Sequence, residues 1–256
     1  MRVNPKKHLG QHFLLDNHVC EKIANSLFLG DSQFNLMEIG PGTGALTKLL
    51  LKEKINLVAY EVDVESVEYL NSVYPQLILR NEDVLKLDWA TVFNQDSLSV
   101  IGNFPYNISS QILFKVYDHR DLVDQMVGMF QKEVAERICA GPGTKKYGIL
   151  SVLLQAFYSV EYLFTVNEDV FDPPPKVKSG VIRLLRNDVK KLDCDEKLFF
   201  NVVKAIFNQR RKMARNSLKS LLAGKVLEHP LMMKRPEQMQ VKDFVTLTKM
   251  IESEIN

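Results

Sequence analysis

The sequence predicts an α/β fold with a parallel, doubly wound sheet, followed by a small all-α region. Short apolar segments alternate with helical segments between residues 34 and 131, as in strands joined by helices. The strand segments are almost continuously apolar, which is typical of a sheet covered on both faces. After about residue 188 the strand patterns stop and only helical periodicity remains. We therefore predict two domains, residues 1–187 and residues 188–256.

The individual elements follow from the spacing of apolar residues along the chain. Residues 16–28 predict a first helix, with Asp16 or Asn17 as its N-cap. Seven strands are predicted, at residues 34–40, 55–63, 76–80, 98–102, 126–131, around 158–166 and 179–186. Helices are predicted after the first, second and fourth strands and from residue 149. Beyond residue 188, three helical segments are predicted at residues 198–207, 211–223 and 241–251.

Composition, the N-terminal sequence and the cysteine spacing argue against a membrane protein, a secreted protein and a zinc protein. The chain is 46% hydrophobic and 25% charged, and no apolar run approaches the length of a membrane span. The N-terminus lacks the apolar region of a signal peptide, so we expect a cytoplasmic protein. Cys20, Cys139 and Cys194 lie far apart, and no cysteine or histidine spacing suits zinc. We therefore expect neither a disulfide nor a bound metal.

A glycine-rich turn and two acidic strand ends favour an adenosine-containing ligand. The turn E-I-G-P-G-T-G contains Gly40, Gly42 and Gly44, and such a turn lets a nucleotide approach the backbone, although it can also be a plain turn. Glu61 ends the second strand, where a carboxylate can bind ribose hydroxyls or cap the next helix. Asp83 follows the third strand, where it can accept a hydrogen bond from the adenine amine. This contact favours S-adenosylmethionine over a nicotinamide cofactor.

The stretch I-G-N-F-P-Y-N-I-S leaves the fourth strand beside the same predicted crevice. Pro105 cannot continue the sheet ladder, so the backbone must turn there, as it would in a simple helix-capping loop. The Asn103 side-chain oxygen and the Phe104 carbonyl can accept both N–H bonds of an adenine amine. Tyr106 offers a flat face for stacking of the base. We interpret the stretch as a clamp for methylation of an amine, in which catalysis is mostly positioning and electrostatics.

Basic residues are concentrated near the end of the chain, although the net charge is only +2. No acidic residue interrupts residues 201–225. Such a cluster can be an ordinary solvated helix face, or it can bind a polyanion. We predict nucleic-acid contacts from six of these residues: Lys204, Arg210, Arg211, Lys212, Arg215 and Lys219.

Five motifs resemble the KsgA family of rRNA adenine N6,N6-dimethyltransferases, and the resemblance runs from about residue 4 to residue 250. They are G-Q-H-F-L, E-I-G-P-G-T-G, G-N-F-P-Y-N-I-S, F-D-P-P-P-K-V-K-S and F-N-Q-R-R-K. The resemblance implies a Rossmann-like, seven-stranded, S-adenosylmethionine-dependent methyltransferase domain with a helical C-terminal domain that binds rRNA. It also implies two adjacent adenines in the 3′-terminal hairpin loop of 16S rRNA as the substrate, on a pre-assembled 30S subunit. We expect a monomer that binds neither DNA nor membranes.

The resemblance also implies roles for individual residues. His12 and Leu14 would contact the cofactor, together with Gly40, Glu61 and Asp83, and Asn103 would complete that site. Phe171 would stack on the second face of the flipped adenine, although it could instead be a core aromatic residue. His12 could likewise be a packed residue of an N-terminal turn.

Two other functions remain open from the sequence. One is methylation of adenine in 23S rRNA, as in the family that confers macrolide resistance. The other is a ribosome-assembly or RNA-binding factor with little activity, which the intact N-F-P-Y motif and the acidic strand ends disfavour. A dehydrogenase is disfavoured by the glycine spacing.

Overall fold

The structure is a computed structural model that describes residues 3–29 and 34–255. Nine strands lie in the described ranges: β1 Phe13–Leu14, β2 Phe34–Ile39, β3 Ile55–Tyr60, β4 Ile78–Arg80, β5 Leu98–Asn103, β6 Val123–Gln131, β7 Tyr158–Val166, β8 Phe171–Asp172 and β9 Ser179–Arg186. The helices there are α1 Asn17–Ala24, α2 Thr47–Leu50, α3 Val64–Val73, α4 Ser109–Asp118, α5 Lys132–Cys139, α6 Ile149–Gln155, α7 Glu196–Asn208, α8 Ala214–Ser217 and α9 Val241–Ile255. Short 3-10 helices occur at Lys7–Leu9, Trp89–Thr91, Glu168–Val170, Pro230–Met233 and Pro236–Gln238.

Seven strands form one sheet in the order β4-β3-β2-β5-β6-β9-β7. The pairs β2–β3, β2–β5, β3–β4 and β5–β6 are parallel. β9 runs antiparallel to β6, so the parallel arrangement predicted from the alternating pattern ends at β6. The predicted α/β class with a seven-stranded sheet is confirmed.

The strand order reverses between β2 and β5, and this reversal positions the candidate site. β2 pairs with β3 on one side and with β5 on the other, and Glu38 lies in register with Ile101. Because these strands are parallel, the turn at Gly40 and the loop at Phe104 leave the sheet at the same edge. Ligands of open α/β sheets bind at such a point of reversal.

The starts of α1 and α5 differ in how clearly the sequence marks them. Asp16 caps α1 as predicted, because its side chain accepts a hydrogen bond from the Val19 amide at 3.0 Å. By contrast, α5 follows β6 directly, and no turn residue separates Gln131 from Lys132. The sequence therefore offered no start signal for α5, and it was not predicted.

The internal contacts of the chain divide it into two compact units. The first contains the chain up to Ala135 together with Glu161–Arg186, and the second contains Glu136–Val160 together with the chain from Asn187. The last crossing from the first unit to the second lies between Arg186 and Asn187, one residue before the predicted boundary. Residues 136–160, which the sequence assigned to the first domain, make their contacts within the second unit.

The second unit has its own aromatic core, which explains why residues 136–160 belong to it. The Tyr147 ring lies 5.8 Å from the Phe207 ring, and Phe207 stacks at 5.7 Å on Phe244 of α9. Tyr147 and Phe244 are fully buried. The loop before α6 is therefore fixed by the helices that follow residue 195. No helix within the described ranges is long and apolar enough to cross a membrane.

Candidate active site

A cavity of about 300 Å³ opens at the carboxyl ends of β2, β3, β4 and β5. All its lining residues belong to the first compact unit. The structure brings together ten residues that the sequence predicted for the site: His12, Leu14, Gly40, Gly42, Glu61, Asp83, Asn103, Phe104, Pro105 and Tyr106. Phe171, the eleventh, is not among the lining residues.

The glycine turn forms one wall of the cavity, where Gly40, Pro41, Gly42 and Thr43 are lining residues. Gly40 and Gly42 have φ angles of 68° and 57°, which favour glycine. A Cβ atom at Gly42 would lie 3.1 Å from the Phe13 ring. The turn therefore needs glycine at position 42 for both conformation and space.

Glu61 is buried, and three backbone amides hold its carboxylate. Its Oε1 accepts hydrogen bonds from Val62 and Asp63, each at 2.9 Å, and its Oε2 accepts one from Gly42 at 3.0 Å. Burial raises the pKa of Glu61, and these hydrogen bonds oppose that rise. Because Oε2 uses only one of its lone pairs, the carboxylate can still accept hydrogen bonds from a ligand in the cavity.

Asp83 and Leu14 line other parts of the cavity. The Asp83 carboxylate accepts a hydrogen bond from the Leu85 amide at 3.0 Å, and the Lys86 ammonium lies 3.7 Å away. Its side chain is about one third exposed, and a carboxylate has more acceptor positions than these two contacts use, so Asp83 can still accept a hydrogen bond from a ligand. Leu14 is buried, and it fixes the end of the N-terminal segment in the apolar core.

The orientation of the Asn103 side chain is set by a backbone carbonyl. Its Nδ2 donates a hydrogen bond to the His12 carbonyl at 2.9 Å. Consequently Oδ1 is left as the acceptor that Asn103 presents to the cavity. This is the atom that the sequence assigned to an amine N–H bond.

The side chain of Phe104 is buried, whereas its backbone turns at the cavity. The Phe104 ring packs over Gly102 and Gly128, where an added Cβ would lie 2.5 and 2.3 Å from it. It also meets the Phe130 ring edge-on at 5.2 Å. Phe104 and Pro105 both line the cavity, so the buried ring anchors the loop at the cavity wall.

Tyr106 and His12 are neighbours in the cavity wall. Their ring centroids lie 5.5 Å apart with a tilt of 31°. The Tyr106 hydroxyl pairs with the Ser179 hydroxyl at 2.7 Å, and the His12 Nδ1 lies 2.7 Å from the Pro173 carbonyl. Because a carbonyl only accepts, His12 donates through Nδ1. Both rings are therefore held in place before any ligand binds.

Phe171 occupies the apolar core in this structure. It is 3% exposed and lies opposite Leu14 in the antiparallel pair formed by β1 and β8. The two residues belong to one buried cluster. Stacking of Phe171 on an adenine would require the ring to leave this cluster, and that role stays a prediction.

Glu38 is a cavity residue that the sequence did not assign. It is 1% exposed, lines the cavity, and accepts a hydrogen bond from the Thr47 hydroxyl at 2.7 Å. Burial raises the pKa of Glu38 to about 7, although Thr47 opposes the rise. An acidic residue in the predominantly apolar strand segment F-N-L-M-E-I was the available signal.

Glu38→Gln is expected to change how stability depends on pH. The pKa of Glu38 is raised from its usual value to about 7 in the fold, so the parent loses stability as the pH rises from about 4.5 to 7. The glutamine variant does not ionise there. Its free energy of unfolding, relative to the parent, should therefore rise by about 2–3 kcal/mol between pH 5 and pH 8. Urea unfolding at both pH values measures this, and a difference that stays constant would contradict the assignment.

Comparisons with known proteins agree with this geometry. A family model described as ribosomal RNA adenine dimethylase matches residues 2–253. Ribosomal RNA small subunit methyltransferase A of Flavobacterium johnsoniae is 54% identical, over 99% of this chain and 98% of the relative. The protein of the same name from Parabacteroides distasonis is 56% identical, over 96% and 93% of the two chains.

Solved structures show the same fold. A dimethyladenosine transferase from Plasmodium falciparum superposes with a TM-score of 0.76 at 25% identity, over 92% of this chain and 96% of that one. The 23S rRNA methyltransferase ErmE gives a TM-score of 0.68 at 24% identity, over 92% and 99%. The likeness to ErmE extends to the fold alone.

Proposed function

This chain belongs to the ribosomal RNA adenine dimethylase family, and from that premise we propose that it dimethylates two adjacent adenines of 16S rRNA. S-adenosylmethionine supplies the methyl groups, which are transferred to N6 in the 3′-terminal hairpin loop of the small ribosomal subunit. The observation that carries this proposal is the convergence of the glycine turn, Glu61, Asp83 and Asn103 on one cavity.

The cavity residues suit S-adenosylmethionine chemically. Glu61 retains an acceptor position for ribose hydroxyls, and Asp83 retains one for an adenine amine. The glycine turn leaves space beside them at Gly40, where an added Cβ would have only Pro105 within 4 Å, at 3.8 Å. When bound, the cofactor supplies an electrophilic methyl group on sulfur.

The residues of the chain prepare the adenine amine for attack. The Asn103 Oδ1 and the Phe104 carbonyl accept hydrogen bonds from its two N–H groups. These bonds draw the nitrogen toward tetrahedral geometry and direct its lone pair at the methyl group. Tyr106, which is held by Ser179, provides the stacking face for the base. After the methyl group has been added, the nitrogen is cationic and releases its proton to water, so the step needs no strong base. Catalysis then consists of positioning and electrostatics.

The names of the relatives and their sequence identities support the small subunit as the substrate. The relatives at 54% and 56% identity carry the name of a small-subunit enzyme, whereas the 23S enzyme shares only 24%. The decisive experiment offers labelled S-adenosylmethionine with small subunits, large subunits and naked rRNA in parallel. We expect label in N6,N6-dimethyladenosine of small-subunit rRNA. Label confined to large-subunit rRNA would overturn the proposal.

We further propose that the exposed basic residues of the second unit bind rRNA phosphates. Five of the six predicted residues are exposed: Lys204, Arg211, Lys212, Arg215 and Lys219. Arg210 differs, because it is half-buried and donates a hydrogen bond to the Thr144 carbonyl at 2.9 Å. Arg210 therefore already has a partner within the protein.

Glu61→Ala is expected to weaken S-adenosylmethionine binding by roughly ten- to a hundredfold, because a hydrogen bond to a charged group contributes about 1.5–3 kcal/mol. Calorimetry on the folded variant measures the change. Glu68→Ala, at an exposed position of α3, is the matched control and should bind like the parent. Unchanged affinity in Glu61→Ala would remove Glu61 from the cofactor site.

A further inference from the structure

The N-terminal segment, residues 3–15, forms one side of the cavity with little regular structure of its own. Residues 9–14 all line the cavity. Within the segment, the regular elements are one 3-10 turn at Lys7–Leu9 and the two-residue strand β1. Segments with few backbone hydrogen bonds open locally at low energetic cost. Side-chain contacts must therefore supply much of what keeps this wall in place.

Several of those side-chain contacts are made to one buried carboxylate, that of Asp63. The Asp63 side chain is fully buried, and its Oδ1 is paired with the Lys6 ammonium. Its Oδ2 accepts hydrogen bonds from the Gln11 amide at 3.2 Å and from the Ser66 hydroxyl at 2.8 Å. The Lys6 ammonium also lies 3.3 Å from the Glu65 carboxylate. Two residues of the N-terminal segment thus converge on Asp63.

The same contacts close the segment on itself. The Lys6 backbone amide donates to the Gln11 Oε1 at 2.7 Å, and the chain turns between them at Gly10, whose φ is 67°. Burial alone would raise the pKa of Asp63, but hydrogen bonds from Lys6, Ser66 and Gln11 outweigh it and hold that pKa below its usual value. The carboxylate is therefore ionised and fully engaged at neutral pH.

This cluster connects the two halves of the reaction site. Asp63 is two residues from Glu61, and its backbone amide donates to the Glu61 carboxylate at 2.9 Å. At the other end of the segment, the His12 carbonyl accepts the hydrogen bond that orients Asn103. Residues 6–12 therefore extend from the carboxylate proposed for the ribose to the residue proposed for the target amine.

We propose that Lys6, Gln11 and Asp63 form a latch that holds the N-terminal segment closed over bound S-adenosylmethionine. Lys6 and Asp63 do not line the cavity, so they act as positioning residues through the segment they fasten. The latch sets how long the cofactor stays bound. It rests on the proposed function only in taking S-adenosylmethionine as the ligand.

The test uses Lys6→Met, which keeps the length of the side chain and removes its charge. We measure release of S-adenosylhomocysteine, the unreactive product, by stopped-flow displacement in the absence of RNA. Lys6→Met should release it about tenfold faster, because a charge-assisted hydrogen bond is lost. Lys6→Arg should restore slow release. Lys7→Met is the matched control, since Lys7 is exposed and its side chain makes no contact with Asp63.

Hydrogen exchange separates a latch from a general loss of stability. In Lys6→Met, the amides of residues 9–13 should exchange faster, while those of β2, β3 and β5 keep the rates of the parent. Parent-like release from Lys6→Met, equal acceleration in Lys7→Met, or faster exchange throughout the sheet would each overturn the latch. If Lys6→Met does not fold, Lys6→Gln decides by the same criteria. A parent protein that binds no S-adenosylhomocysteine would instead contradict the proposed function.

Discussion

Asn103→Ala is expected to lower kcat for adenine methylation by at least about a hundredfold, the effect of removing one preorganised polar group from a reacting centre. The reason is geometric. The His12 carbonyl occupies the Nδ2 of Asn103, so Oδ1 is presented to the cavity as a fixed acceptor. Alanine removes that acceptor and leaves the amine of the substrate without one of its two partners. Single-turnover methylation of small subunits measures the loss.

Two further measurements show whether Asn103 acts on the reacting nitrogen. Affinity for S-adenosylmethionine should fall by no more than about tenfold, since Glu61 and the glycine turn remain. The same substitution at Asn201, an exposed position of α7, should leave the rate unchanged. If Asn103→Ala dimethylates within a few-fold of the parent rate, the clamp mechanism is wrong.

The convergence of the residues at the strand ends could be predicted from the sequence, because a parallel sheet determines it. Parallel strands bring their carboxyl ends to one edge, so Gly40, Glu61, Asp83 and Asn103 had to converge once the strands were recognised. Neither side-chain distances nor a ligand was needed for that step. The prediction therefore depended only on periodicity and on the residue that ends each strand.

Long-range pairings could not be predicted in the same way. Phe171 begins the proline-rich segment F-D-P-P-P-K-V, which gives no sign of a strand. In the structure, β8 pairs with β1 and places the Phe171 ring beside Leu14 in the core. The residues in contact are more than 150 positions apart in the chain. The N-terminal partners of Asp63 were missed for the same reason, because Lys6 lies 57 and Gln11 52 residues away. Periodicity describes one element at a time and gives no information about such pairs.

The basic stretch shows a related limit. The sequence predicted one helix from about residue 211 to residue 223, but α7 ends at Asn208 and α8 contains only residues 214–217. Helical spacing predicts that five apolar residues pack inward: Ile206, Met213, Leu218, Leu221 and Leu222. Ile206, Leu218 and Leu222 are buried, whereas Met213 and Leu221 are only partly buried. No glycine or proline marks the break after Asn208. Although no continuous helix forms, the basic side chains are still exposed, because the turns around α8 place the apolar residues inward.

Charge reversal of Arg211, Arg215 and Lys219 to glutamate is expected to weaken binding of small subunits strongly and to flatten its salt dependence. All three side chains are exposed, and no acidic residue lies between residues 201 and 225. Each lost phosphate contact should reduce the slope of log affinity against log salt by roughly 0.7–0.9. Arg210 is left unchanged because its guanidinium holds the Thr144 carbonyl, and its loss would disturb the fold.

The control carries the same change in net charge at another place. Lys52, Lys54 and Lys190 are exposed, and their reversal to glutamate should reduce the affinity far less. S-adenosylmethionine affinity should be unchanged in both triple variants, because none of the cavity-lining residues is altered. Filter binding between 50 and 200 mM salt, where phosphate contacts change affinity most, gives both the slope and the affinity. Equal losses in the two triple variants would mean that overall charge, rather than this basic stretch, governs rRNA binding. If reversal of Arg211, Arg215 and Lys219 leaves the slope of log affinity against log salt as in the parent, the basic stretch is only a solvated surface.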